Sequence, residues 1–355
     1  MGHNVLITGG SGYLGGSLLY YLAKHRDQLP ENTKLYALVR KPEQEEAVRA
    51  YGAEGLTFDA YDPAAVLTAV VGHDISVVFW LSDVMHPQAQ LYFINALAEV
   101  RRKTGQDVHL LHTSGAKIFS DMAGAPSDRT FSDSDLSIYA LQKTQIPSQD
   151  LMRMAVETNN TIVEEGEAKG IRTYIFVLCI VYGKGLGFGN KISIQTVEIV
   201  KAAQGTRQMY QVDTDKTIWP VCHILDTTTL YFHLLRAILA EENPDYGKNG
   251  YYLASPGSVA WQDIYVAMAA ALARWGIVDD ASVKTADETA LANVGAALGQ
   301  PAELVRLMLG GICMFEPEHG KSVGWTPHYP PTHILDAADD EVALILDVLA
   351  DRTKL

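Results

Sequence analysis

Cysteine is scarce. The 355-residue chain has three, Cys179, Cys222 and Cys313, widely spaced and without a C-x-x-C pair. That argues against a disulfide framework and leads us to expect buried, reduced thiols in a cytoplasmic protein. Basic charge is also short: 28 Lys and Arg stand against 42 Asp and Glu, a net charge of −14. Nucleic acid and anionic membranes are therefore not expected partners. No apolar run reaches the length of a membrane span, and the first strand begins too early to leave room for a signal peptide. The eleven histidines form no H-x-x-x-H or H-E-x-x-H pair, so no metal site is expected. The final Thr353-Lys354-Leu355 differs from the peroxisomal S-K-L address at its first position and reads as a frayed tail. There is no internal repeat or low-complexity tract, and 48% apolar with 20% charged residues is an ordinary globular composition.

The N-terminus is the most informative stretch. Asn4-Val5-Leu6-Ile7-Thr8 is a short apolar strand, followed by Gly9-Gly10-Ser11-Gly12-Tyr13-Leu14-Gly15-Gly16 and a helix from Ser17. Gly9 suits a turn closed to other residues, Gly12 lets a ligand approach the backbone, and Gly15 lets helix and strand approach each other. The N–H groups opening the helix, around Tyr13 and Leu14, face the place of a pyrophosphate. The second strand, Lys34 to Val39, ends in Arg40-Lys41. A cation there suits a 2′-phosphate, which favours NADP(H) over NAD(H); solvated charges at a strand end are the alternative. Asp59 and Ala60, after a third strand at Gly55 to Phe58, are placed to hold an adenine. Leu81 and Ser82 end the apolar strand Ile75 to Leu81, at the carboxyl edge where ligands bind in open α/β sheets. Strands alternate with helices through Val108 to Leu111, which predicts right-handed βαβ units.

These residues resemble the extended short-chain dehydrogenase/reductase superfamily, which includes NAD-dependent epimerases and dehydratases. Thr8-Gly9-x-x-Gly12-x-x-Gly15 has its glycine spacing. Val181-Tyr182-Gly183, His223-Ile224-Leu225-Asp226 and Gly324-Trp325-x-Pro327 are similar to its later landmarks, and Asn95 to its structural asparagine. Phe188 to Gln195 looks like a subgroup of fungal epimerase/dehydratase-like proteins. The resemblance implies a Rossmann-type doubly wound parallel sheet with a smaller, mostly helical C-terminal substrate domain. Residues 1–185 would bind NAD(P), with a return of the chain at about 215–250, and 186–355 would mainly bind substrate. It also implies a small-molecule substrate and homodimers as a common assembly.

By the same resemblance, catalysis would fall to Ser114, Tyr139 and Lys143. A tyrosine phenol titrates near ~10 and needs a neighbouring ammonium to act as an acid or base near neutrality. Tyr139-Ala140-Leu141-Gln142-Lys143 places the two groups on one helical face. Pro147 disagrees, because a proline four residues after Lys143 cannot sit inside the long helix that the family has there. That helix would run instead from Ser148 to Lys169, with Met152 and Val156 near the family's Tyr and Lys positions. Either a short helix still presents Tyr139 and Lys143 to the nicotinamide, or the pair belongs to a loop over the cleft.

Further on, Gly183 to Asn190 is glycine-rich without the spacing of a phosphate turn and reads as a mobile junction between domains. Cys179 is a residue that could face the cofactor. The reading that results is an NADP(H)-dependent oxidoreductase acting on a carbonyl or alcohol carbon. A non-redox isomerase, lyase or cyclase, or a non-catalytic NADP-binding sensor, is the alternative.

Overall fold

The structure is a computed structural model that describes residues 2–213 and 217–352, so Thr353-Lys354-Leu355 lies outside the described residues. Seven strands form its central sheet: β1 (Asn4–Ile7), β2 (Lys34–Leu38), β3 (Ala53–Leu56), β4 (Ile75–Trp80), β5 (His109–Gly115), β6 (Arg172–Leu178) and β7 (Tyr251–Ala254). Their order is β7-β6-β5-β4-β1-β2-β3, and every pairing is parallel. All six residues of β4 are buried, as a strand covered on both faces requires. The order reverses between β1 and β4, which opens a crevice at their carboxyl ends.

The covering helices are α1 (Tyr13–Lys24), α2 (Pro42–Arg49), α3 (Pro63–Gly72), α4 (Gln88–Thr104), α5 (Ile138–Thr144), α6 (Asp150–Lys169), α7 (Gln195–Thr206) and α8 (Ile224–Leu239). α3, α4 and α6 pack side by side, and α1 packs on α8. Right-handed crossovers running in opposite directions from β1 place these two groups on opposite faces.

Pro147 divides α5 from α6: α5 closes at Gln145 and α6 opens at Gln149. A proline supplies no N–H to continue the first helix. α6 stops at Gly170, whose φ of 69° is the left-handed cap that glycine allows, with the Ile171 N–H closing on the Gly166 carbonyl.

The second lobe sits at the carboxyl edge of the sheet. β6 breaks at Cys179 and resumes as Ile180–Tyr182, which pairs in parallel with Ile218–His223; that strand pairs antiparallel with Gly257–Ala260. The chain re-enters the main sheet through α8 and β7. The stretch 281–298 is a strand at Val283–Thr285 and a helix over Glu288–Leu298. Two buried aspartates tie the lobes together. Asp133 accepts from the Leu253 N–H at 3.0 Å and the His319 N–H at 2.8 Å. Asp226 accepts from the His328 and Tyr329 N–H groups at 2.7 and 2.9 Å.

Candidate active site

The glycine turn connects β1 to α1 at the crevice. Gly9 has φ +64°, and a Cβ on Gly15 would collide with the Gly9 carbonyl. The Gly12 N–H closes the turn on the Gly9 oxygen at 2.7 Å. No side chain caps the first turn of α1, and no acidic residue lies in it. Its N–H groups and the positive end of its dipole thus suit an anion. Thr8 Oγ1 accepts from the Leu81 N–H at 2.8 Å, joining the turn to the end of β4, and exposed Ser82 lies across from Gly9.

Tyr13 and Leu14 contribute through their backbone. The Tyr13 side chain is buried and donates to the Gly183 carbonyl at 2.6 Å, while Leu14 packs against Tyr13, Val181 and Ile224. Arg40 and Lys41 are both exposed at the end of β2, and among the described residues neither enters an ion pair. Asp59 is exposed and accepts from the Tyr61 N–H at 2.9 Å; Ala60 beside it is half-buried. The crevice therefore fits a dinucleotide, with its pyrophosphate at the turn and its adenosine toward the ends of β2 and β3.

The segment from Gly183 to Asn190, expected as a mobile junction, is docked on this turn instead. The Asn190 N–H donates to the Ser11 carbonyl at 3.0 Å, and the Leu186 N–H to Ser17 Oγ at 3.0 Å. Gly187 lies against the Gly16 backbone and Gly189 against Ser11, so closely that neither place admits a Cβ. These glycines serve close backbone packing, which their spacing alone did not reveal.

The structure does not bring Ser114, Tyr139 and Lys143 together. Ser114, at the carboxyl end of β5, is buried, and its Oγ accepts from Asn159 Nδ2 at 3.1 Å. Tyr139 Oη donates to Glu164 Oε1 at 2.7 Å, and Lys143 Nζ donates to the same oxygen at 2.7 Å. Asn159 and Glu164 both lie on α6, five positions apart and so roughly 140° apart around the axis. Asn159 is buried toward β5, and Glu164 is exposed near Lys248, which precedes β7.

Burial and the Glu164 carboxylate raise the Tyr139 phenol above its ordinary range, opposite to what acid–base work needs. The expected triad is thus corrected: Lys143 neutralises Glu164 rather than activating Tyr139 at Ser114. Lys143 and Tyr139 in turn hold the Glu164 carboxyl below its usual range, so what the cluster contributes to stability is present at neutral pH and lost as pH falls through that lowered value. Tyr139→Phe and Lys143→Met are each expected to cost under ~1 kcal/mol, because the pair is about half exposed, and to leave dinucleotide binding unchanged. Thermal melts and a nucleotide titration check both points.

Other expectations also change. Cys179 is buried, its thiol donates to the Ala254 carbonyl at 3.2 Å, and burial raises its pKa well above the ordinary range, opposite to what a nucleophile needs. Asn95 is exposed, and the buried asparagine beside the site is Asn159. Neither Asn159 nor Lys117, three residues beyond Ser114, stood out in the sequence. Asn159 falls within an ordinary amphipathic helix, and the position of Lys117 after β5 was the only signal available for it. Among the described residues no cluster of His, Cys, Asp and Glu has a metal-binding arrangement, and no helix is long and apolar enough to cross a membrane.

Comparison with known proteins agrees with the geometry. Residues 5–246 match the NAD dependent epimerase/dehydratase family. An Acremonium sp. protein named oxidase ucsJ is 22% identical over 351 residues, covering 93% of this chain and 94% of that one. Among solved structures, DesIV, a dTDP-glucose 4,6-dehydratase from Streptomyces venezuelae with NAD and TYD bound, superposes with a TM-score of 0.66 at 12% identity, over 97% of each chain. Vestitone reductase from alfalfa gives 0.59 at 15% identity, over 98% of this chain and 99% of that one. These structures share the fold. With the family match and the uncapped glycine turn, they lead to one conclusion: the chain belongs to the NAD-dependent epimerase/dehydratase family of extended short-chain dehydrogenases/reductases and is an NAD(P)-dependent enzyme of oxidoreductase type.

Proposed function

We propose that this enzyme uses NADP(H) to move hydride between the nicotinamide and a carbonyl or alcohol carbon of a small organic substrate. The observation that carries the cofactor choice is the end of β2, where Arg40 and Lys41 are exposed, enter no ion pair among the described residues, and have no carboxylate in their place. A guanidinium suits a 2′-phosphate, whereas an acidic residue would suit a 2′-hydroxyl. The bound cofactor supplies the hydride chemistry. The chain's own part is to hold the pyrophosphate on the first turn of α1, to receive adenine near Asp59 and Ala60, and to present the Ser114 hydroxyl, oriented by Asn159, to the substrate oxygen. Three buried, unpaired cysteines suit a reducing compartment such as the cytoplasm.

A second reading has its own support. Tyr139 and Lys143 are engaged with Glu164, so the usual proton-transfer pair does not stand beside Ser114. That favours a non-redox isomerase, lyase or cyclase, or a cofactor sensor, on the same fold.

Titration with NADPH and NADH, followed by nicotinamide fluorescence, tests the cofactor. NADPH is expected to bind at least about tenfold more tightly, the worth of one charge-assisted contact. Absorbance of NADPH with a panel of aldehydes and ketones tests the chemistry. Consumption with one panel member supports hydride transfer. Tight binding with none consumed supports the second reading, and no binding of either nucleotide sinks both.

A further inference from the structure

The 3₁₀ turn Ala116–Phe119 carries the chain from the end of β5 into the second lobe. On it Lys117 follows Ser114, at the carboxyl edge of the sheet, by three positions. Its Nζ donates to the Gly310 carbonyl at 2.5 Å, and it lies 3.9 Å from the centre of the Trp219 ring and 5.5 Å from that of Trp261. The residue is half-buried. Among the described residues no carboxylate is within ion-pair distance of it.

The nearby acids are otherwise engaged. Arg306 takes Asp121 at 2.7 Å and Asp213 at 2.5 Å; the Ile312 N–H donates to Asp121 at 3.1 Å and the Gly311 N–H to Asp213 at 2.5 Å. Cys313, a further titratable neighbour among the described residues, is kept neutral by burial. An ammonium has three donors, and among the described residues only one finds an acceptor. The Trp219 indole N–H, also buried, has no acceptor among the described residues. The Lys117 ammonium and the Trp219 indole thus both have donors without an acceptor among the described residues, and Lys117 is three positions from Ser114.

We propose that Lys117 is the proton-transfer group of this crevice, taking the role that Tyr139 does not fill; the proposal rests on the hydride-transfer reading above. A bound reduced nicotinamide would supply the hydride for the new C–H bond, with the carbonyl π pair going to oxygen. A Lys117 N–H bond breaks and its proton completes the alcohol. The products would be alcohol, oxidised nicotinamide and a neutral amine, which takes its proton back from water between turnovers. Oxidation runs these steps backwards. Burial supports this role by holding the amine down to about 7, where both forms are populated at neutral pH, while the nearby acids counteract it and Arg306 adds to it. The indole faces keep the charged form accessible.

Methylation of the lysines with ¹³C-formaldehyde and cyanoborohydride, followed by NMR titration, tests it. One dimethylamine signal, absent from Lys117→Arg, is expected to have its midpoint near 7 and to be displaced by bound NADP⁺. With any panel carbonyl that oxidises NADPH, Lys117→Arg should lose about 100-fold or more in kcat, because a guanidinium does not give up its proton, while NADPH affinity stays within about threefold. Lys117→Met should show the same split. A midpoint near the ordinary lysine value of ~10.4, or a signal that bound NADP⁺ leaves unmoved, overturns the assignment. So does turnover kept in Lys117→Arg. Failure of wild-type protein to bind NADPH overturns the reading beneath the proposal, and the assignment with it. Binding with an ordinary Lys117 midpoint overturns the assignment alone.

Discussion

Gly15→Val should abolish dinucleotide binding and destabilise the fold at once. The added Cβ would meet the Gly9 carbonyl, and the Thr8 carbonyl lies beside it at 3.0 Å. Both are backbone atoms held by the turn, so neither can swing aside as a side chain would. Relief requires α1 to move away from β1, which displaces the N–H groups that would face the pyrophosphate. Overpacking of this kind costs about 1–3 kcal/mol. Loss of the anion site should weaken NADPH binding by about 100-fold or more, since several charge-assisted hydrogen bonds go together. Denaturant melts and fluorescence titration give the two numbers separately. A variant that binds NADPH within about threefold of wild type would show that the turn is not the cofactor cradle.

The second large effect is expected at the end of β2. Arg40→Ser with Lys41→Ser should raise the Kd for NADPH by about 10- to 100-fold and leave that for NADH nearly unchanged. A charged hydrogen bond contributes about 1.5–3 kcal/mol, and 1.4 kcal/mol is tenfold in affinity. Both side chains are exposed and touch no carboxylate among the described residues, so their loss should leave the melting temperature in place. The loss of NADPH affinity should also shrink as salt rises, because the contact is at the surface. Equal weakening toward both nucleotides would place these cations elsewhere than at a 2′-phosphate.

Much of the cofactor half was legible from local pattern. Period, apolar runs and glycine spacing are properties of neighbouring residues, and the elements they predict are set mainly by neighbours. α6, expected to end at Lys169, ends there, with Gly170 as its cap. Pro147 also spoke correctly, because a missing N–H breaks a helix in any surroundings. The Tyr-x-x-x-Lys spacing at Tyr139 was legible too, but spacing fixes only that two side chains share a helical face. It does not fix what that face meets. The partner turned out to be Glu164, from the next helix.

The sequence by itself thus determined the alternating α/β order, the glycine turn between β1 and α1, and the break at Pro147, since each follows from backbone sterics within a few residues. Tertiary structure alone decided which polar groups meet. It set Asn159 on Ser114, laid the 183–190 segment over the glycine turn, and placed Lys117 against Trp219 and Gly310. Those contacts join residues tens to hundreds of positions apart. Their energies depend on burial and on the orientation of two packed elements, which no local window contains.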